Sequence, residues 1–337
     1  MYDVREWFER RSYDYARFAD PVSLAGRKRE LSLSVSLLLP CFRATQAGRT
    51  LINEIQALNE RVPLVDQIAV IAASSSHGMD TAYPGVEVYS GNELMPEYGP
   101  VIGKGDAMWR ALSIARGDLV VYADVEAPAF EPHFVCGVLG PLLSFPRVRF
   151  AKAAYEHLVW GAQDVAEPKV DEALAELMAR PLLNLHYPKL AGFLQPLSGE
   201  FAAPRELFYS IPFFTGHTPE MTIMMDLLNK VGLDAMAQVN FGRRWGRRRY
   251  SGNPGCASYA MLRAVNLRLG RGSFNRPASQ ETHPWARSVP AVVDSYTRPV
   301  ASSEGVRFRK DTAEIAERPP MMRVLQEPTR DARSDRR

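Results

Sequence analysis

Apolar and polar positions follow two different rhythms along this chain, and the switches between them give an order of elements. Leu31 to Leu39 alternates with serines and then turns wholly apolar before Pro40, the pattern of a strand entering the middle of a sheet. Leu51, Ile52, Ile55 and Leu58 fall on one face of a helix. Gln67 to Ala73 reads as a second strand, ending in the small polar run Ser74, Ser75, Ser76, His77 and Gly78, and Val86 to Tyr89 as a short third one. A turn-rich loop, Ser90 to Gly105, leads into a helix with Ala107, Met108, Ala111, Leu112 and Ala115 inward, and that helix feeds a buried strand from Leu119 to Ala123. Strand and helix thus alternate from residue 31 to residue 124, which predicts an α/β fold with a parallel sheet and helices on both faces. Ligands of such sheets bind beyond the carboxyl ends of the strands, where Pro40, Ser74 and Asp124 lie.

The second half is less regular. Val148 to Ala153 predicts a strand, Asp171 to Leu183 a helix, and Gln195 to Ala203 a strand or tight hairpin returning to the sheet. Pro219 to Val231 predicts a helix whose Met221, Met224, Met225 and Leu228 form a core stripe rather than a binding groove. Asp234 to Val239 is a strand running into Arg243, Arg244, Trp245, Gly246, Arg247, Arg248 and Arg249. A last helix, Ser258 to Leu269, precedes a proline- and charge-rich tail that is expected to be extended or mobile from about Arg287. At the other end Trp7, Phe8 and Tyr13 suit a helical flap packed on the main domain.

Composition narrows the class without changing this outline. With 337 residues, 46% hydrophobic and 23% charged, the chain is globular with ample core. A formal net charge of +3 is too small to argue for nucleic acid. Cys41, Cys136 and Cys256 are widely spaced, so neither a disulfide framework nor a zinc site is indicated. There is no apolar run of about 18 residues and the first residues are charged, so the expectation is a cytoplasmic protein with no membrane span.

Four local features carry candidate chemistry. Asp124 and Glu126, one residue apart at a strand end, suit a hard divalent metal that carries substrate phosphates; the alternative is an acidic turn. Gly103-Lys104-Gly105-Asp106 opens a helix, where backbone amides and a lysine can meet an anion such as a diphosphate, although the spacing is not that of a Walker motif. Glu220 stands alone among apolar residues at a helix start, where it also complements the dipole. Five arginines in the seven residues from Arg243 to Arg249 suit a clamp for small phosphate esters better than a nucleic-acid surface.

Gly103-Lys104-Gly105-Asp-Ala-Met-Trp109-Arg110, Asp124-Val125-Glu126, Ala179-Arg180-Pro181-Leu182-Leu183, Gln195-Pro-Leu-Ser-Gly199-Glu200, Gly232-Leu-Asp-Ala-Met-Ala-Gln238-Val-Asn240 and Glu317-Arg318-Pro319-Pro320-Met321 together resemble glucosyl-3-phosphoglycerate synthase. The resemblance runs from about Trp7 to the tail and implies a GT-A-type (Rossmann-like) open, mostly parallel sheet. It implies a retaining, metal-dependent glycosyltransferase that moves a sugar from a nucleoside-diphosphate sugar to a small anionic, phosphoglycerate-like acceptor. Its residues would be Asp124 and Glu126 for Mg²⁺ or Mn²⁺; Pro40, Lys104, Asp124, Glu126, Arg244 and Arg249 for the donor; and Glu220 with Lys104 for catalysis. It also implies a homodimer, and a division into an N-terminal flap (1–30), a nucleotide-sugar-binding half (31–160), an acceptor-side half (161–286) and a tail (287–337).

This chain departs from the family pattern at several points. Pro40-Cys41-Phe42-Arg43 replaces a family acid that holds the nucleoside, Ala72 and Ala73 replace polar residues, Gly246 stands at the family's metal-binding histidine, and Glu172-Ala173-Leu174-Ala175 replaces the contacts to phosphoglycerate. Buried polar contacts are worth about 1–3 kcal/mol each, so changed substrates are expected. An inactive, glycosyltransferase-like binding or regulatory protein is the alternative.

Overall fold

The computed structural model describes residues 4–42, 46–72, 83–123, 133–156, 173–216, 219–243, 254–270, 292–302 and 305–326. Its strands are β1 (Ser12–Asp14), β2 (Val35–Phe42), β3 (Gln67–Ala72), β4 (Glu87–Ser90), β5 (Leu119–Tyr122), β6 (Phe150–Glu156), β7 (Phe201–Pro204), β8 (Phe213–Phe214), β9 (Met236–Arg243), β10 (Val292–Ser302), β11 (Gly305–Ile315) and β12 (Glu317–Arg318). The helices are α1 (Val4–Arg11), α2 (Pro21–Glu30), α3 (Gln46–Arg61), α4 (Gly103–Leu112), α5 (His133–Ser144), α6 (Arg180–His186), α7 (Arg205–Tyr209), α8 (Pro219–Val231), α9 (Pro254–Arg268) and α10 (Met321–Gln326).

The main sheet has the order β1-β9-β6-β7-β5-β2-β3-β4. β2 pairs in parallel with β3 on one side and β5 on the other, so the chain walks outward through β3 and β4 and then returns across β2. That reversal opens a crevice at the carboxyl ends of β2 and β5, as expected from the alternating pattern. β7 runs antiparallel to both β5 and β6, which makes the sheet mixed. One apolar layer, with Leu37, Leu39 and Val121, packs under α3 and α5; the other, with Leu38, Val120 and Tyr122, packs under α4 and α8. Alternation along β2 and β5 supplies both layers at once.

Three elements differ from the pattern-based expectation. Helix α5 carries apolar residues on every side and encloses Gly137, Gly140 and Pro141, so it has no amphipathic period to reveal it. The helix expected from Asp171 to Leu183 contains a π-turn at Ala175–Ala179 before α6. Pro181 near the start of α6 has no N–H to continue the α ladder, and the helix widens just before it. The N-terminal residues do more than cover the domain: β1 joins the sheet edge in parallel with β9, and the buried Trp7 donates its indole N–H to the carbonyls of Leu233 and Met236, both at 3.0 Å.

The tail also has more structure than expected. β10 and β11 form an antiparallel hairpin from Val292↔Ile315 to Ser302↔Gly305, and β12 pairs with β8. Met321 and Arg318 are buried against the main domain. An arginine with a buried acidic partner anchors the segment, which composition alone does not reveal.

Candidate active site

Two helices begin side by side at the carboxyl edge of the sheet. The Gly105 N–H of α4 donates to the Gly216 carbonyl at 2.9 Å, and the Gly216 N–H, just before α8, donates to the Ile102 carbonyl at 2.8 Å. Gly103 has φ +68, and a Cβ on Gly105 would stand 1.9 Å from the Phe214 carbonyl oxygen. Glycines therefore let the two helix starts approach to hydrogen-bonding distance. This corrects one expectation for the Gly-Lys-Gly entry: the Gly105 amide is taken by Gly216 and is not offered to an anion. Asp106 Oδ2 accepts the Ile102 N–H at 2.9 Å, which closes the first turn of α4 from within.

Lys104 and Glu220 meet across this junction. Lys104 Nζ donates to Glu220 Oε1 at 2.7 Å, with the lysine side chain 12% exposed and the glutamate 3%. Both stand in the first turn of a helix, where aligned peptide dipoles favour negative charge. Glu220 complements that field.

Beneath the pair lies a third charged residue, Lys152 of β6, which is 1% exposed. Its ammonium donates to the Ser198 carbonyl and sits 5.0 Å from the centroid of the Phe201 ring. Burial pulls its pKa from 10.5 down to about 7, while Glu220 and Glu200 act to raise it and Lys104 acts to lower it. The Gln195–Glu200 turn is fixed over the same strand: Ser198 Oγ donates to the Ala153 carbonyl at 2.6 Å, and the Ala153 N–H donates to the Glu200 carbonyl at 2.9 Å.

A buried ionic frame holds α4 from behind. Arg318 Nε donates to Asp106 Oδ1 at 2.7 Å, and Arg110, also fully buried, reaches Asp106 Oδ2 at 3.3 Å. Arg110 further donates to the carbonyls of Leu94 and Gly99, both at 2.6 Å, and so binds the loop that precedes α4. The Trp109 indole N–H donates to the Pro319 carbonyl at 2.7 Å.

Of the expected site residues, Lys104 and Glu220 are brought together. Pro40 is buried at the carboxyl end of β2, where the pairing with β3 shifts register between Leu39 and Phe42. Asp124, Glu126, Arg244 and Arg249 lie outside the described residues; Ala123, hydrogen-bonded to the Leu38 carbonyl at 3.2 Å, and Arg243 lead to them. Among the described residues no three His, Cys, Asp or Glu side chains cluster to hold a metal, and no helix is long and apolar enough to cross a membrane. Cys136 is buried and Cys256 half-buried, and neither is in a disulfide. A separate cavity of about 690 Å³ lies at the amino-terminal edge of the sheet, between Leu33, Leu119, Val148 and Pro204, away from Lys104 and Glu220. Sequence reasoning missed Lys152, Arg110 and Arg318. A lysine inside an apolar strand, Phe150-Ala-Lys-Ala-Ala-Tyr155, is the signal that marked the first of them.

No family model matches the chain. It is 34% identical over 239 residues to the glucosyl-3-phosphoglycerate synthase of Petrotoga mobilis, covering 70% of this chain and 73% of that relative. The chain belongs to the glucosyl-3-phosphoglycerate synthase family. Among solved structures, mannosyl-3-phosphoglycerate synthase from Rubrobacter xylanophilus is 48% identical with a TM-score of 0.80, covering 96% of this chain and 99% of that one. Glucosyl-3-phosphoglycerate synthase from Mycobacterium tuberculosis, in complex with Mn²⁺, uridine diphosphate and glucosyl-3-phosphoglycerate, is 29% identical with a TM-score of 0.71, covering 90% and 96%. This member of the glucosyl-3-phosphoglycerate synthase family is therefore a glycosyltransferase of the GT-A fold, and the α4/α8 junction lies at the sheet edge where such a fold binds its ligands.

Proposed function

We propose that the protein transfers a hexose, with retention of anomeric configuration, from a nucleoside-diphosphate sugar to a small anionic acceptor of the phosphoglycerate type. The observation that carries this reading is the Lys104–Glu220 pair, 2.7 Å apart between two helix starts at the carboxyl edge of the sheet. Lys104 offers a cation to the donor diphosphate, and Arg244 and Arg249 take up the remaining phosphate charge. Glu220 orients sugar and acceptor on one face of the anomeric carbon; pinned by Lys104 and almost wholly buried, it serves as a positioner and not as a nucleophile.

Asp124 and Glu126 follow Ala123 at the end of β5. Two hard oxygen donors there suit Mg²⁺ or Mn²⁺, which needs only one or two carboxylates beside phosphate oxygens and water. When bound, the ion would supply charge neutralisation of the departing diphosphate. Mannose stands beside glucose as the sugar, because the mannosyl enzyme of R. xylanophilus shares 48% of its residues with this chain. The same reading takes the protein as a cytoplasmic homodimer.

The test is to incubate protein and Mg²⁺ or Mn²⁺ with glucose and mannose nucleotides, with and without 3-phosphoglycerate, and to measure released nucleoside diphosphate and the anomeric signal of the product. Product of inverted configuration sinks the retaining reading, and unchanged release by Asp124→Ala sinks the metal assignment. A second reading, a binding protein without transfer, draws on the buried, apolar Ala72 at the end of β3, where the family pattern is polar. It predicts thermal stabilisation by a nucleotide sugar with no turnover.

A further inference from the structure

We propose that Arg268 is a positioning residue of the transfer site: by tying α8 to β8 and β12, it sets where Glu220 stands against Lys104. The inference rests on the reading of Lys104 and Glu220 given above and extends it to a residue on a different helix.

Arg268 closes α9, and its guanidinium has partners on three other elements. Nε and one terminal nitrogen both donate to Asp226 Oδ2 of α8, at 3.1 and 2.7 Å. The other terminal nitrogen donates to Glu317 Oε1 of β12, and Cζ lies 4.5 Å from the centroid of the Phe214 ring of β8. The arginine side chain is 12% exposed and that of Asp226 13%. Each partner leads to the Lys104–Glu220 junction. Asp226 follows Glu220 by six residues on α8, about 9 Å along the axis. Phe214 precedes Thr215 and Gly216, and its carbonyl packs against Gly105, the neighbour of Lys104. β12 is pinned to the same segment: the Thr215 N–H donates to the Ala316 carbonyl at 2.9 Å, and the Ala316 N–H to Thr215 Oγ1 at 2.8 Å.

A charged cluster of this type is a poor source of stability. Desolvating a guanidinium and two carboxylates cancels much of the attraction between them. Burial pushes the Asp226 carboxyl up to about 6 even with Arg268 and Lys230 acting to lower it. What the cluster supplies is geometry, because a planar guanidinium takes Asp226, Glu317 and the Phe214 ring in fixed directions at once. Without it α8 keeps its apolar face in the core but loses the contact that fixes its rotation and slide against β8. Glu220, at the start of α8, then shifts relative to Lys104 of α4. A displacement of about 1 Å in a group that orients the reacting sugar lowers the rate by up to about 100-fold. Lys104 stays with α4, so donor affinity changes little and the loss falls on kcat.

The experiment measures kcat and donor KM for wild type, Arg268→Met and a control, Lys28→Met, beside urea unfolding and crystal structures of wild type and Arg268→Met. Lys28→Met breaks a part-buried ion pair at the amino-terminal edge of the sheet, Lys28 Nζ to Asp66 Oδ2 at 2.8 Å, and so reports lost stability alone. Support is a kcat lower by about 10- to 100-fold in Arg268→Met with donor KM nearly unchanged, a wild-type kcat in Lys28→Met, and a Lys104–Glu220 pair parted in the variant crystal. If Arg268→Met does not fold, Asp226→Ala, which cuts the same bond from α8, takes its place with the same expected result. A wild-type kcat in Arg268→Met, a loss shared equally by Lys28→Met, or a loss carried by KM alone overturns the proposal, as does a variant crystal that keeps the Lys104–Glu220 contact. If wild type releases no nucleoside diphosphate from any nucleotide sugar, the transferase reading fails, and the crystal structures judge Arg268 alone. A parted pair then sustains its positioning role, and an intact pair refutes it.

Discussion

Gly105→Ala is the substitution that most directly interrogates the junction of α4 and α8. A Cβ at this position would lie 1.9 Å from the Phe214 carbonyl oxygen and 3.2 Å from Pro219 Cβ. Ordinary carbon–oxygen contacts begin at about 3.3 Å, so the helix must withdraw by roughly 1 Å or more from backbone that cannot rotate away. Overpacking of this type costs about 1–3 kcal/mol. The withdrawal also stretches the Gly105 N–H bond to Gly216, worth about 1 kcal/mol. Against these stands the gain of about 1 kcal/mol from alanine in a helix. The net expectation is a loss of about 1–3 kcal/mol. Gly26→Ala is the matched control, because Gly26 lies inside α2 with nothing within 4 Å of its added Cβ, and it should gain about 0.4–1 kcal/mol. Urea unfolding of the three proteins, followed by far-UV circular dichroism, gives the stabilities. The same displacement moves Lys104 away from Glu220, so Gly105→Ala should also weaken donor binding while Gly26→Ala leaves it unchanged. A Gly105→Ala protein as stable as Gly26→Ala, with wild-type donor affinity, refutes the close approach of the two helices as the element that builds the site.

Other outcomes follow from individual residues. Glu220→Gln is isosteric and removes the carboxylate held at 2.7 Å by Lys104, so activity should fall far more than donor binding, read as a kcat loss in the transfer assay. Arg318→Met leaves the Asp106 carboxylate, which is fully buried, with Arg110 as its remaining charged partner; the expected cost is about 1–3 kcal/mol of unfolding free energy in urea, against almost nothing for Arg5→Met on the exposed face of α1. Lys152 has a pKa depressed from 10.5 to about 7, so its contribution to stability is present above about 10.5 and is lost as pH falls through about 7. Lys152→Met should accordingly be more stable than wild type near neutral pH, by about 3–5 kcal/mol, with the difference shrinking toward alkaline pH in thermal or urea unfolding. Cys136, buried and with its thiol pushed up to about 11, should resist a thiol reagent in the native protein and react on unfolding.

How much of this was legible in the sequence depends on the range of the interaction. Elements defined by their own periodicity were readable: Pro219–Val231 is the span of α8, its Met221, Met224 and Met225 are fully buried in the core, and the first four strands of the doubly wound half lie within a few residues of their expected places. Helix α5 was not readable, because a helix enclosed on all sides shows no polar stripe. The tail was misjudged because its order comes from β12 pairing with β8 and from Arg318 reaching Asp106, more than two hundred residues away in the chain. Composition describes a segment's solubility and not its partner.

The candidate site shows the same division more sharply. Lys104 and Glu220 were each recognisable as a charged residue at a helix start, yet for each the local explanation, an exposed turn or a dipole-complementing acid, was sufficient. Their conjunction depends on Gly105 and Gly216 exchanging close backbone contacts between segments that are distant in sequence. Lys152 is the opposite case. Its strand reads as core, and its ammonium is met by the Ser198 carbonyl and the Phe201 ring, which other elements bring to it. A charge that a local pattern cannot explain marks a place where distant segments meet, and here that meeting place is also the proposed donor site.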